Sequence, residues 1–201
     1  MTIVGIGKNY VNTLKEMPSP KWQPIIFTKP ETTLLMDGAP FEIPAISNEV
    51  AYEVELAYRI SKKGKNISEA NALSHVDAVA VSIDFTAKDV LAKSRENKGP
   101  WALAKGFDGA TPISDFFPLT QFEDEINFAL DLNGKRVQTG NSSLMVYQLP
   151  EIIAHVSQFM TLNPGDILLS GTPAHGVGLV KPGDQLLLTL EGENKLAFEV
   201  R

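Results

Sequence analysis

Apolar and polar side chains alternate with a period of two between Ala51 and Ile60. The apolar positions are Tyr52, Val54, Leu56, Tyr58 and Ile60, and the positions between them are Glu53, Glu55, Ala57 and Arg59. Successive side chains of a β-strand project from opposite faces, so this pattern predicts a strand with one buried face. The other face carries two carboxylates at a spacing of two residues.

Further short strands are predicted wherever an apolar run is bounded by turn residues. They occupy 3–6, 25–28, 76–83 and the segments that follow the Pro-Gly-Asp turns at 164–166 and 182–184. Asn133-Gly134 stands between two strand-like segments and predicts a hairpin with a type I′ turn. Strands of this length and number indicate a mainly β chain.

Helical signals are fewer and shorter. The predicted helices occupy 10–17 (as a helix or a lid), 68–74, 86–95 and the segment after Pro150. Thr86, with Asp89 three residues later, resembles a capping box that would start the third of them. We therefore predict an α+β fold, mainly β with short α-helices. No linker-like segment divides the chain, so we expect a single domain over 1–201.

The composition is that of an ordinary globular protein, and it narrows the function classes. Of 201 residues, 43% are apolar and 21% are charged, which excludes wholesale disorder, and the formal net charge of −6 argues against a nucleic-acid partner. The chain has no cysteine, hence no disulfide, thiolate ligand or cysteine nucleophile. No apolar run approaches ~18 residues and no secretion signal is evident, so we expect a cytoplasmic protein without a membrane partner.

Three acidic residues are candidate metal ligands. Glu53 and Glu55 project from one strand face, roughly 6.5–7 Å apart along the chain, and repel each other unless a cation lies between them. Such a pair suits a hard divalent ion, Mg²⁺ or Mn²⁺. Asp84 follows the apolar run at 76–83, where a strand delivers its side chain to a sheet edge or a cleft. Each also has a structural explanation, since Glu-x-Glu is common on solvated strand faces and an Asp there can cap a helix.

Two further segments carry candidate binding groups. Lys105 has apolar neighbours, where a desolvated ammonium can polarise a carbonyl or bind a carboxylate, although a lysine can equally extend into solvent. The Gly-rich segment 170–178 offers backbone N–H groups and the Thr172 hydroxyl to a carboxylate, unless it is an ordinary loop. The three histidines lack metal-ligand spacing, and only His175 is placed to line a pocket.

Seven segments together resemble the fumarylacetoacetate hydrolase superfamily in its short single-domain form. They are IVGIGKNY (3–10), FTKP (27–30), YEVELAY (52–58), IDFTAKD (83–89), PWALAKGFDG (100–109), NSSLM (141–145) and TLNPGDILLSGTPAHGVG (161–178). Any one of them is weak, whereas all seven in the family's order and spacing are specific. The resemblance implies a mixed β-sandwich-like roll, a homodimer, and one Mg²⁺ or Mn²⁺ ion in each subunit.

The same resemblance implies a role for each candidate residue. The positions that match the family's motifs are Glu53, Glu55 and Asp84 for the ion, Lys105 for catalysis, and Lys8, Gly171 and Thr172 for the substrate. Residues that have ordinary structural explanations when taken singly thereby become parts of one pocket.

The chain departs from the family's pattern in the short segment after the first strand. Hydrolytic members carry a His and a Glu three residues apart there, and this catalytic pair activates the attacking water. The Glu is present as Glu16, but the His position holds Thr13, whose hydroxyl cannot accept a proton near neutral pH. On the following helix, Leu91 stands where Gln is frequent, and Lys88 stands for Arg, which removes bidentate geometry.

The implied chemistry is that of small 2-oxo acids, through an enolate that a divalent ion stabilises. Acylpyruvate hydrolysis, oxaloacetate decarboxylation and keto–enol tautomerisation share this enolate, and only hydrolysis requires an activated water. We expect a metal-dependent hydrolase or lyase that cleaves C–C bonds of 2-oxo acids, with a tautomerase as the alternative. A non-catalytic protein that binds metal and 2-oxo acids, and a purely structural protein, are alternatives of other classes.

Overall fold

Short strands account for most of the regular structure. The computed structural model describes residues 1–123 and 125–201. The strands within these ranges are β1 (Thr2–Gly7), β2 (Ile25–Pro30), β3 (Leu34–Leu35), β4 (Val50–Tyr52), β5 (Val54–Ile60), β6 (Val76–Ile83), β7 (Thr86–Ala87), β8 (Thr111–Pro112), β9 (Phe117–Pro118), β10 (Asn127–Leu132), β11 (Lys135–Asn141), β12 (Ile167–Leu169), β13 (Gly178–Leu179), β14 (Gln185–Leu190) and β15 (Glu193–Glu199). The α-helices are α1 (Glu69–Ala72), α2 (Lys88–Glu96), α3 (Ala102–Lys105) and α4 (Leu149–Phe159). None of these helices has both the length and the apolar character that a bilayer crossing requires.

Two sheets form the framework. The larger has six strands in the order β2-β1-β12-β5-β6-β9. Within it β1 and β12 are parallel, with Ile3 opposite Ile167, and the other pairs are antiparallel. The second sheet is antiparallel, in the order β11-β10-β14-β15. This arrangement confirms the prediction of a mainly β, mixed sandwich-like roll with short helices.

The apolar core lies between the two sheets. β5 and β6 of the larger sheet contact β10 and β14 of the second, and Leu56, Phe128 and Leu188 are buried in their common core. The opposite face of the larger sheet is also covered, by a smaller cluster that includes Ala57 and Ile113. Because both faces of β5 are buried, the carboxylates that it carries lie in the interior and require polar or charged partners.

The turn signals of the sequence are confirmed. Asn133 and Gly134 both have positive φ, 52° and 77°, as a type I′ turn requires, and they join β10 to β11. Each Pro-Gly-Asp turn has its glycine at positive φ, 91° at Gly165 and 90° at Gly183, shortly before β12 and β14. Local sequence therefore determines where these strands begin and end.

Two helix predictions are wrong: the helical alternative for 10–17, and Thr86 as the start of the helix predicted over 86–95. The segment 10–17 is not a helix. Only Leu14–Glu16 forms a single 3-10 turn, because none of these three residues is buried and Pro18 follows closely. The helix α2 begins at Lys88, without Thr86 as its N-cap. Thr86 lies in β7, where its hydroxyl is hydrogen-bonded to the charged side chains of Glu53 and Lys105.

The strand predicted over 51–60 is present but is interrupted at Glu53. The part before it, β4, pairs with β7 and β13, whereas the part after it, β5, pairs with β6 and β12. The chain therefore changes sheets at this residue. The carbonyl of Glu53 accepts a hydrogen bond from the backbone N–H of Asp84 at 2.8 Å, which places Glu53 beside the end of β6.

Candidate metal centre

Three carboxylates from neighbouring strands converge in the interior. Glu53, Glu55 and Asp84 each offer an oxygen, and these oxygens lie within 4.8 Å of one another. The antiparallel pairing of β5 with β6 places Val54 opposite Ile83, so Glu53 and Asp84, which flank that pair, meet at one end of the strands. Glu55 joins them because residues two apart share a strand face. The structure thus brings together the three residues predicted to bind an ion.

Three lysines supply positive charge to this cluster. Lys105 Nζ donates to Glu53 Oε2 at 2.8 Å and also contacts Asp84 Oδ2. Lys29 Nζ donates to Asp84 Oδ1 at 2.6 Å, and Lys88 pairs with Glu53 Oε1. Although burial opposes the change, the charges of Lys105 and Lys88 lower the pKa of Glu53 to about 2. Glu53 is therefore ionised throughout the neutral pH range.

Glu55 differs from the other two carboxylates because it has no lysine partner in the described part of the chain. Its side chain is 2% exposed, and its Oε2 accepts a hydrogen bond from the backbone N–H of Gly171 at 2.8 Å. Burial, and then the negative charge of Asp84, raise the pKa of Glu55 well above its ordinary value. A further cation next to Glu55 would remove this penalty.

The donor set fits a hard divalent ion. All three groups are carboxylates, and oxygen ligands are those that Mg²⁺ and Mn²⁺ prefer. The chain has no cysteine, and its three histidines are not among the residues that line the cavity at this centre, so ligands for softer metals are missing there. Both the residue types and the uncompensated charge of Glu55 therefore fit a cation such as Mg²⁺ or Mn²⁺.

The carboxylates line a cavity of about 750 Å³. Other residues of the sequence analysis that line it are Lys8, Lys88, Leu91, Lys105 and Thr172. Gly171 was expected to bind substrate, but its N–H is already donated to Glu55, so its contact is with a candidate ligand of the ion. The cavity thus brings together most of the residues that the family resemblance implies.

Thr13 and Glu16 are not among the residues that line this cavity. Both side chains are exposed, and Glu16 Oε2 accepts hydrogen bonds from the backbone and side-chain nitrogens of Asn12 at 3.2 and 3.0 Å. Thr13 and the 3-10 turn Leu14–Glu16 therefore lie outside the cavity in this structure. The catalytic roles of Thr13 and Glu16, and the function of the segment as a lid, stay predictions.

Lys29 belongs to the site but was missed by the sequence analysis. Its side chain is fully buried, and its Nζ bonds the carbonyl oxygen of Ala110 at 2.8 Å as well as Asp84. Burial lowers the pKa of Lys29, and the charge of Asp84 opposes this change. Lys29 is two residues from Phe27 on β2, so the two side chains share a strand face, and Phe27 lines the cavity. The strand period could therefore have placed Lys29 on the same face as Phe27.

Gln138 was also missed, and it connects the acidic centre to the Gly-Thr-Pro loop. Its side chain is buried on β11, with Oε1 accepting a hydrogen bond from the backbone N–H of Val54 at 2.9 Å. Its Nε2 donates to Thr172 Oγ1 at 3.0 Å. One side chain thus fixes the Thr172 hydroxyl relative to the strand of Glu55. Nothing in its local sequence, VQTG, distinguishes it from a solvated strand residue.

Gln138→Leu is expected to lower the free energy of unfolding by about 1–3 kcal/mol, because the Val54 N–H is left buried without an acceptor. Urea denaturation followed by circular dichroism measures this change. Gln185→Leu, on the exposed end of β14, is the matched control and should change stability by less than about 0.5 kcal/mol. If Gln138→Leu were as stable as the unmodified protein, the hydrogen bond from the Val54 N–H to the Gln138 side chain would not hold the two strands together.

One family profile and individual relatives each match almost the whole chain. The profile described as "Fumarylacetoacetate (FAA) hydrolase C-terminal" matches residues 2–201. The mitochondrial oxaloacetate tautomerase of Bos taurus is 38% identical over 201 residues, which cover 98% of this chain and 90% of that protein. The mitochondrial oxaloacetate decarboxylase of Dictyostelium discoideum is 35% identical over 206 residues, which cover 98% of this chain and 93% of that protein.

A solved structure extends the likeness to three dimensions. The fumarylpyruvate hydrolase from Pseudomonas aeruginosa, in complex with Mn²⁺ and pyruvate, has a TM-score of 0.91 and a sequence identity of 28%. The match covers 100% of this chain and 89% of that chain. The acidic centre therefore lies within the shared fold and not in an insertion.

Proposed function

The chain belongs to the fumarylacetoacetate hydrolase family, and from this membership we propose that it is a divalent-metal-dependent enzyme that cleaves or decarboxylates small 2-oxo acids. The observation that carries the proposal is the buried meeting of Glu53, Glu55 and Asp84 beside Lys105. Relatives named for oxaloacetate, and a neighbour in complex with Mn²⁺ and pyruvate, support the substrate class. The proposed ion is Mg²⁺ or Mn²⁺, and the proposed assembly, from the family resemblance, is a homodimer.

In this proposal Glu53, Glu55 and Asp84 hold the ion. When bound there, it would act as a Lewis acid that stabilises negative charge on the keto oxygen of a 2-oxo acid. The Gly171 N–H orients Glu55, and Lys29 orients Asp84 while balancing its charge. Both contacts restrict the ligands before substrate arrives, as preorganised sites require.

The other polar groups of the cavity act on the substrate. Although burial opposes it, the charges of Asp84 and Glu53 raise the pKa of Lys105, so its ammonium stays protonated. In this role the ammonium places positive charge near the developing enolate oxygen. The Thr172 hydroxyl and the Lys8 ammonium are the groups that we assign to the substrate carboxylate.

The segment after β1 influences which reaction the enolate undergoes. Hydrolysis of an acylpyruvate requires an activated water, and Thr13 cannot supply the proton acceptor that His provides in hydrolytic members. Decarboxylation of oxaloacetate needs only a stabilised enolate, so the substitution weakens hydrolysis most. Tautomerisation of oxaloacetate is the second candidate, favoured by the name of the 38% identical relative from Bos taurus. It needs a proton shuttle such as Glu16 or Lys105, of which only Lys105 lines the cavity.

The function is tested with the purified chain, Mg²⁺ or Mn²⁺, and either oxaloacetate or acetylpyruvate. Absorbance follows the enol form of each substrate, and a coupled assay follows pyruvate. Metal-dependent pyruvate formation supports cleavage, whereas enol–keto equilibration without pyruvate supports the tautomerase. Stabilisation of the fold by metal and oxalate without any turnover supports a non-catalytic binding protein. A protein that neither turns over nor binds metal contradicts the proposal.

Thr13→His is expected to raise acetylpyruvate hydrolysis relative to oxaloacetate decarboxylation by at least about tenfold, because it restores a proton acceptor three residues from Glu16. The ratio of the two kcat/KM values is measured at one metal concentration. Thr161→His, at another exposed threonine, is the control for a histidine added elsewhere on the surface. A ratio that stays the same in Thr13→His would refute the explanation given for this departure from the family.

A further inference from the structure

Most of the cavity wall away from the carboxylates is apolar, and the cavity exceeds the needs of a four-carbon acid. Its volume of about 750 Å³ is in the range of sites for much larger ligands. Large apolar side chains that line it include Trp22, Ile25, Phe27, Leu91, Trp101 and Val177. Oxaloacetate at the acidic centre would leave this surface in contact with water, which is unfavourable.

Two aromatic rings connect the acidic centre to the rest of the wall. Lys105 Nζ, which contacts the carboxylates, lies 4.8 Å from the centroid of the Phe27 ring. The Phe27 and Trp101 centroids are 6.0 Å apart, with their planes inclined by 44°. Arg95 Cζ lies 4.9 Å from the centroid of the Trp101 ring, a cation–π contact that restrains the indole. A flat or bulky apolar group attached to a bound 2-oxo acid can therefore lie along this wall.

Leu91 extends the apolar surface on the side of α2. It is 4% exposed and lies three residues after Lys88, so the helix presents first an ammonium and then a hydrocarbon side chain to the cavity. A buried Leu cannot bond a polar group of the substrate, so a polar substituent beside it is disfavoured and an apolar one is favoured.

We infer that the preferred substrates are 2-oxo acids with a bulky apolar substituent, such as an aryl or long acyl group, which lies against Phe27, Leu91 and Trp101. This inference rests on the proposed function and specifies its substrate class. Arg95 also lines the cavity, but it is exposed and lies over the Trp101 ring. We therefore assign it to holding that ring and not to binding a second carboxylate.

Isothermal titration calorimetry of the full chain in excess Mg²⁺, with pyruvate, phenylpyruvate and 2-oxoadipate, tests the inference. We expect phenylpyruvate to bind at least about tenfold more tightly than pyruvate, and 2-oxoadipate no more tightly than pyruvate. Equal affinity for phenylpyruvate and pyruvate overturns the inference and leaves the proposed function standing. Tightest binding of 2-oxoadipate also overturns it, since the wall would then select charge. Binding of none of the three contradicts the proposed function and the inference with it.

Leu91→Gln is expected to lower the preference for phenylpyruvate over pyruvate at least about fivefold. Leu103→Gln is the matched control, because Leu103 is 71% exposed on α3 and is not among the residues that line the cavity. Trp101→Leu is a second test that adds no polar group, and it should reduce the same preference by shortening the wall. Folded Leu91→Gln and Trp101→Leu proteins with an unchanged preference would overturn the inference.

Discussion

Glu55→Gln is expected to weaken Mg²⁺ binding at least about hundredfold without destabilising the metal-free protein. The amide loses the negative charge that an ion requires, but its oxygen still accepts the hydrogen bond from Gly171. The substitution also removes the buried carboxylate of Glu55, which is 2% exposed and lacks a lysine partner among the described residues. In the metal-free state the variant should therefore be at least as stable as the unmodified protein.

The pH dependence of stability provides an independent check on Glu55. A carboxyl whose pKa is raised by folding binds more protons in the folded state, so its contribution to stability falls as the pH rises. In the presence of EDTA, Glu55→Gln should gain stability relative to the unmodified protein as the pH rises above ~4.3, the ordinary value for Glu. Calorimetric titration with Mg²⁺ and thermal unfolding at several pH values measure both effects.

The control for Glu55→Gln is Glu42→Gln, which removes an exposed carboxylate. It should change neither the Mg²⁺ affinity nor the relative stability in EDTA. If Glu55→Gln bound Mg²⁺ as tightly as the unmodified protein, Glu55 would not be a ligand. The proposed centre would then have to be abandoned in its present form.

Lys105→Met is expected to reduce turnover at least about hundredfold and to lower the unfolding free energy of the metal-free protein by about 3–5 kcal/mol. Its ammonium contacts both Glu53 and Asp84, and removing it leaves their charges buried with fewer partners. The same loss of positive charge should make the site more attractive to a divalent ion. Stability and catalysis are therefore expected to respond differently to added Mg²⁺.

Three measurements separate these effects in Lys105→Met: urea denaturation in EDTA, denaturation in excess Mg²⁺, and the Mg²⁺ dissociation constant. Mg²⁺ should restore most of the lost stability but not the turnover. Lys63→Met removes an exposed ammonium, and this control should cost less than about 0.5 kcal/mol. Similar losses of unfolding free energy in both variants, or weaker Mg²⁺ binding by Lys105→Met, would contradict the role of Lys105 as the charge partner of Glu53 and Asp84.

The parts of the fold and site that the sequence predicts are those set by local rules. The strand period places Glu53 and Glu55 on one face, and the apolar run that ends at Ile83 places Asp84 at the end of its strand. Positive φ at Asn133-Gly134 follows from the residue types themselves. The convergence of these acids on Lys105 came from family resemblance, since no spacing along the chain shows which strands pair.

What the sequence did not predict depends on partners that are remote in the chain. A lysine on β2 and a glutamine on β11 have ordinary strand contexts, and only the sheet packing buries Lys29 against Asp84 and Gln138 against Val54. Thr86 shows the opposite error. Its local pattern matches a capping box, but burial beside Glu53 and Lys105 gives its hydroxyl stronger, charged partners.

The position of β12 bears on how the chain is made in the cell. This strand lies between β1 and β5, yet it is the last strand of its sheet to leave the ribosome. Until then the β1–β2 and β5–β6 pairs of the nascent polypeptide each keep an open edge, which exposes them to wrong pairing with other chains. Synthesis that stalls before Ile167 should therefore yield aggregation-prone fragments rather than a partly active protein.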